Sequence, residues 1–343
     1  MEIRNNNRMM LLDVVRGVSI LLMIQVHIME LFAQPEISSG WAGKVSLFLG
    51  GTPAAPIFLV IMGFLSYSKN SALSDNVFRG FKLIVWGLLL NVGLNLNLIY
   101  HVYFQNWEIN IYHYIFGVDI LPTAGLSFIA LALIPPRFKN NGLLMIGLIL
   151  IVFIIGSFHA TPNESFKISY LAAFITGGTS WSYFPFFPWF AYPLMGYLVA
   201  SHKDMVIGFV DKENRLLIAT VVLVLFLYLT WEFAANITHV LPTYYHHGFD
   251  FYLWSLVFMA LIFIVTHYFL KTVNFSIAYK YLGFLSKNIT AVYVFQWLII
   301  GNLATWWFQQ FNIPKLVIGF LGVTILSSLL TFAWQKIKFK LWK

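Results

Sequence analysis

The sequence predicts an all-α, polytopic integral membrane protein of about ten transmembrane helices, and three observations predict it. Of 343 residues, 59% are hydrophobic and 10% charged, with a mean hydropathy of +0.78, a balance that no soluble domain tolerates. Several apolar runs approach the ~20 residues that a helix needs to cross a bilayer. The two-residue alternation of an outer-membrane barrel is missing. Cysteine is absent, which removes disulfides, thiol catalysis and thiolate metal sites from consideration.

Ten spans fit the apolar runs: 10–32, 46–67, 79–99, 112–134, 142–158, 183–201, 214–231, 250–269, 288–307 and 315–334. The first run is full length and lacks a small-residue cleavage site, so it reads as a span and not as a signal peptide. With the N-terminus placed in the cytoplasm, 18 of the 21 Lys and Arg residues fall on the inner side. They lie in the N-terminal segment, 68–82 (Lys69, Arg79, Lys82), 136–141 (Arg137, Lys139), 202–215, 270–287 and the tail. Lys44, Lys167 and Lys315 alone fall outside. This asymmetry follows the positive-inside rule and puts both termini in the cytoplasm. It also accounts for the net charge of +8 without a nucleic-acid partner.

Within the first span, residues 13–30 read DVVRGVSILLMIQVHIME. Arg16 and His27 are eleven residues apart, so at ~100° per residue they share an azimuth and stand ~16 Å apart along the axis. Asp13 and Glu30 extend the same stripe by three residues at either end. Ionised groups facing lipid carry a penalty of several kcal/mol, so the stripe is expected to face the protein interior or water. Arg16 also reads as a snorkelling anchor that Asp13 neutralises. Glu30, near the outer end, reads equally as a solvated residue. His27 is harder to explain as packing, because it shares the stripe with Arg16 and precedes a Gly/Pro-rich loop.

The outer loops 100–114, 159–182 and 232–249 are aromatic, polar and poor in cations. Such loops suit a saccharide, and equally an interfacial aromatic belt. His159 and Glu164 lie in the second of them. The pair His246-His247 finds no second ligand pair at suitable spacing, so no metal site is expected. Three spans are interrupted on the outer half: GGTPAAP at 50–56, Pro122 just after Asp119, and FPFFPWFAYP with Pro185, Pro188 and Pro193. Irregular backbone at membrane depth is tolerated where it lines a cavity or is buried in protein. The breaks therefore predict a central cavity reaching from outside to His27. Asp119 lies ~24 Å above Pro135 on helical rise, near the depth of His27. There it serves either as a carboxylate partner of the imidazole or as a helix cap. No linker, repeat or low-complexity segment is visible, so residues 1–343 read as one domain.

The stretch RGVSILLMIQVH resembles the Arg-x10-His first-helix motif of the transmembrane acyltransferases. That superfamily joins the acyltransferase family 3 proteins to the heparan-α-glucosaminide N-acetyltransferase-like proteins. PIFLVIMGFLSYS, FRGFKLIVWGLLLN, FGVDILPTAGLSFIALAL, FPFFPWFAYPLMGYLVA and NITAVYVFQWLII resemble later helices of the second branch, in order over about residues 8–300. The chain lacks the large luminal extension of the animal lysosomal enzymes and has His27 where their first helix ends in asparagine. It has Gln296 where some relatives carry histidine. These departures leave the acceptor and the acyl group open.

The resemblance implies acyl transfer from cytoplasmic acetyl-CoA or another acyl-CoA to a hydroxyl or amine of an extracytoplasmic glycan or lipid-linked saccharide. It implies the cytoplasmic membrane of a bacterial cell and no metal. His27 would act as general base or as an acyl-carrying nucleophile. Arg16, Glu30, Trp189 and Gln296 are the expected substrate-binding residues. Arg16, Arg79, Lys82, Arg137 and Lys139 are candidates for the donor's phosphates, the last four doubling as topology determinants. Membrane lipid is an expected partner, and homo-oligomerisation is left open. The competing class is a secondary transporter or flippase without acyl chemistry, for which an inverted repeat would speak. None is seen between the halves.

Overall fold

A computed structural model describes residues 2–68, 72–139, 141–157, 169–272 and 276–341. Lys69, His159, Glu164, Lys167 and Lys343 lie outside the described residues. The described chain is 86% helical and contains no strand, only the isolated bridges Ala33–Phe311 and Val118–Ser182. Among the described residues, seven helical stretches are long and apolar enough to cross a membrane. They are Met10–Phe32, Trp41–Tyr67, Leu73–Leu94, Glu213–His239, Phe249–Thr272, Ile289–Trp307 and Ile313–Lys338. The protein is an integral membrane protein. The outward faces agree: Val221, Val222, Leu225, Tyr228 and Leu229 on helix Glu213–His239 are all more than half exposed. Such a face belongs in hydrocarbon.

The three remaining expected spans are shorter or interrupted. Helices Ile120–Leu133 and Gly142–Ser157 have 14 and 16 residues, below the length of a straight span. Helix Ile120–Leu133 starts eight residues later than the apolar run because Asp119 caps it. The Asp119 carboxylate accepts from the Ile120 N–H at 2.7 Å. Upstream, the extended stretch at Gly117–Val118 makes its backbone bonds elsewhere. Asn91 Nδ2 donates to the Ile115 and Gly117 carbonyls at 3.1 and 2.7 Å. Val118 N–H donates to Trp181 O at 2.8 Å, and Val118 O accepts from Tyr183 and Phe184. Non-helical backbone persists here because these backbone groups find their partners in protein. The 183–201 run is split into Phe186–Trp189 and Ala191–Ser201.

The described residues group into two compact units. The first comprises residues 1–57, 93–109 and 258–343. Its centre is the first helix, Glu2–Phe32, where Ile20, Ile24 and Ile28 are each at most 2% exposed. Apolar residues run most of the way round this helix, as a largely buried helix requires. Helices Ser276–Lys287, Ile289–Trp307 and Ile313–Leu341 and the π-helical coil Gly50–Ala54 pack on it.

The second unit comprises residues 58–92 and 110–257. Its core is the bend before helix Ala191–Ser201, where Trp189, Tyr192 and Leu194 are fully buried. Trp189 Nε1–H donates to the Tyr245 carbonyl at 2.8 Å. His247 Nδ1–H donates to Tyr244 O at 2.8 Å, and Tyr192 Oη stands 3.0 Å from both His247 Nε2 and Ser255 Oγ. Burying these polar atoms is tolerable only because each has found a partner.

Candidate active site

The first helix is unbroken from Glu2 to Phe32, so Arg16 and His27 do occupy one face, separated by three turns. Each end of the stripe meets a different neighbour. At the lower-numbered end, the buried Asp13 carboxylate accepts from Ser286 Oγ at 2.7 Å. One turn on, Gly17 sits against Leu282, and a methyl group built at Gly17 would lie 2.6 Å from the Leu282 carbonyl oxygen. The glycine after Arg16 is thus what lets helix Ser276–Lys287 lie directly on the first helix. The pairs Gly17–Leu282 and Asp13–Ser286 run in opposite directions, so these two helices are antiparallel. The chain then turns at Asn288, and helix Ile289–Trp307 returns along the first helix to reach His27.

At that end the Gln296 carboxamide meets His27 Nδ1, with Oε1 at 3.2 Å and Nε2 at 3.1 Å. Gln296 is 1% exposed, whereas His27 is partly exposed. The indole of Trp297 lies over the imidazole, ring centres 4.1 Å apart and planes 33° apart. Along the same stretch of the first helix packs the coil Gly50–Ala54, which contains Pro53 and is buried throughout. It comes so near that a side chain at Gly50 would overlap Val26, the residue before His27. Gln25 and Ser46 clasp each other beside it: Ser46 Oγ donates to Gln25 Oε1 at 2.7 Å, and Gln25 Nε2 donates to Ser46 O at 2.9 Å. The imidazole is therefore pinned at Nδ1 and covered on one face by an indole. Pinning Nδ1 dictates what Nε2 can do. When Gln296 Oε1 accepts from Nδ1–H, Nε2 keeps its lone pair for a proton or an acyl carbon.

Of the residues singled out in the sequence, the first unit brings together His27 and Gln296, while Arg16 stands ~16 Å along the axis from His27. Arg16 and Glu30 are partly buried. Asp119, Trp189, Arg79, Lys82, Arg137 and Lys139 belong to the second unit. Asp119 caps its helix. Trp189 is enclosed by Phe184, Tyr192, Tyr244 and His247 and holds the bend in place. Arg79 and Lys82 are exposed near the start of helix Leu73–Leu94. The Arg137 guanidinium sits 5.4 Å over the Phe138 ring. Trp297 beside His27, Ser286 on Asp13 and Ser46 on Gln25 are neighbours of the first helix that sequence reasoning missed. Only a tryptophan directly after Gln296 could have signalled the first of them.

The family model described as "Heparan-alpha-glucosaminide N-acetyltransferase, catalytic" matches residues 8–230 of the chain. That stretch contains the whole Arg16–His27 stripe. No curated protein and no solved structure gives a significant match.

Proposed function

Because the chain belongs to the heparan-alpha-glucosaminide N-acetyltransferase catalytic family and is therefore a membrane acetyltransferase, we propose that its donor is cytoplasmic acetyl-CoA. The acetyl group passes to a hydroxyl or amine of a saccharide or lipid-linked glycan on the opposite side of the membrane. The observation that carries this reading is His27: an imidazole inside a membrane-crossing helix, partly open, and held at Nδ1 by a buried carboxamide. A packing histidine needs no such arrangement.

In this reading the acceptor oxygen or nitrogen attacks the thioester carbon while His27 Nε2 takes its proton. The carbon–sulfur bond then breaks and the departing thiolate receives that proton, which yields the acetylated acceptor and free CoA. The alternative route has Nε2 itself form the bond to the acyl carbon, release CoA and pass the acyl group on. Both routes need the same tautomer, with Nδ1–H donating to Gln296 Oε1. Arg16 lies on the same face toward the proposed cytoplasmic end, where it would meet the pantetheine or phosphate end of the donor. The Lys and Arg asymmetry supports that polarity.

The test uses purified protein, radiolabelled acetyl-CoA and an α-glucosaminide-terminated saccharide as acceptor probe. His27→Ala and His27→Gln should remain folded and lose transfer by at least the ~10²–10⁴-fold that a positioned acid or base contributes. Near-normal rates in either folded variant would remove His27 from the chemistry. Rapid acid quenching separates the two routes, because only the second leaves label on the protein.

A further inference from the structure

We infer that Trp297 is the hydrogen-bond donor for the carbonyl oxygen of the acyl group as it is transferred, an inference that rests on the acetyl-transfer reading at His27. Three observations lead to it. The indole lies directly over the imidazole, 4.1 Å between ring centres. Its Nε1–H is buried and, among the described residues, has no hydrogen-bond partner. It follows Gln296 on the same helix, so the residue that pins Nδ1 also fixes where the indole stands. An indole N–H can only donate, and a buried donor without an acceptor is destabilising in a native structure. A ligand oxygen arriving beside His27 relieves that penalty. Two other indoles show how such groups are usually settled: Trp189 donates to Tyr245 O and Trp254 to Thr230 Oγ1, both at 2.8 Å. Trp181 shares the unpartnered N–H, but it stacks on His113, whose Nε2 is 3.0 Å from the Asn110 side chain. That histidine lies outside the membrane-crossing helices.

The chemistry has one place for such a donor. When the acceptor heteroatom bonds to the acyl carbon, the carbonyl π pair moves onto oxygen, and the acceptor's proton goes to His27. The oxyanion persists until its electron pair re-forms the carbonyl and the carbon–sulfur bond breaks, the thiolate taking the proton back. If the imidazole attacks first, the same carbonyl passes through the same oxyanion. A preorganised N–H at that oxygen stabilises either transition state, and loss of one such donor lowers kcat by roughly 10²–10³. Thr52 Oγ1, on the coil packed against Val26, is a further buried group without a partner.

The decisive variant places β-(3-benzothienyl)alanine at position 297, which keeps the shape and the stacking face of indole but has no N–H. Trp297→Phe serves as a genetically simple companion. Transfer from acetyl-CoA to an α-glucosaminide-terminated saccharide is followed by release of the CoA thiol, which this cysteine-free chain does not obscure. The expected result is a kcat lowered roughly 10²–10³-fold, with KM for acetyl-CoA and the pH profile of the His27-dependent step little changed. Wild-type turnover by the benzothienyl variant overturns the inference, and so does wild-type turnover by Trp297→Phe. Should the first variant fail to fold, turnover by the Phe variant decides between the two outcomes. His27→Ala is assayed alongside. If it is inactive while the benzothienyl variant is normal, only the role of Trp297 falls; if it is active, the reading of the site falls with it.

Discussion

At the scale of single residues, charge inside a membrane helix was the legible signal. Arg16 and His27 stand out in the sequence because nothing in an apolar run requires them, whereas Gln296 enters only through the resemblance of NITAVYVFQWLII to a later helix of the family. Trp297 does not stand out, because a tryptophan near the end of an apolar helix reads as part of an interfacial belt. Its closeness to His27 depends on how two helices 269 positions apart in sequence meet, which local periodicity cannot supply. Arg16 gives the prediction that belongs at this scale. Arg16→Ala should weaken apparent acetyl-CoA affinity by roughly 10- to 150-fold, the ~1.5–3 kcal/mol of one charge-assisted contact. Lysine should restore part of this as a charge, but not as a planar fork. Initial-rate kinetics with each substrate varied in turn would show it. A fall in acceptor affinity with donor affinity unchanged would reverse the assigned polarity of the stripe.

At the scale of elements, hydropathy located the long helices and misjudged the short ones. Helix Ser276–Lys287 carries Lys280 and Lys287 and so reads as a loop, yet it lies along the first helix because Gly17 admits it and Ser286 meets Asp13. The fourth apolar run looks like one span because His113 and Asp119 are its only acidic or basic side chains across Ile111–Ile115, the extended residues and Ile120–Leu133. What divides them is Asn91, which captures two carbonyls across 26 residues of sequence or fewer. Capping is one of the two readings that the sequence leaves open for Asp119, and its carboxylate does cap.

His247, between helices Glu213–His239 and Phe249–Thr272, gives a prediction about the element it stabilises. Burial holds its pKa down to about 4 from an ordinary 6.5. Its bond to Tyr244 O and the nearby Asp250 oppose this shift, while His246 adds to it. The folded protein therefore keeps His247 neutral in a range where the unfolded chain binds a proton. Stability is full above pH ~6.5 and is lost as pH falls toward 4, by up to about 3 kcal/mol. The Tm of the detergent-solubilised protein should fall across that window, and His247→Gln should flatten the fall while lowering Tm at neutral pH. An equally steep acid dependence in His247→Gln would mean that other groups carry it.

At the scale of the whole molecule, composition alone established a membrane-embedded helical protein, and the family match makes it an acetyltransferase. Lipid-facing helices were easy to read because hydrocarbon imposes length and apolarity on them independently of their neighbours. The helix breaks were legible as glycines and prolines. Their consequences were not, because each break is stabilised by partners distant in sequence. The central claim concerns the two sides of the membrane, and proteoliposomes of uniform orientation test it most directly. Radiolabelled acetyl-CoA is supplied only at the face bearing the N-terminus, and an α-glucosaminide-terminated saccharide only at the other. Labelled saccharide should accumulate on the far side with the wild-type protein and not with His27→Ala. Transfer that occurs only when donor and acceptor share one face would contradict transmembrane acetylation.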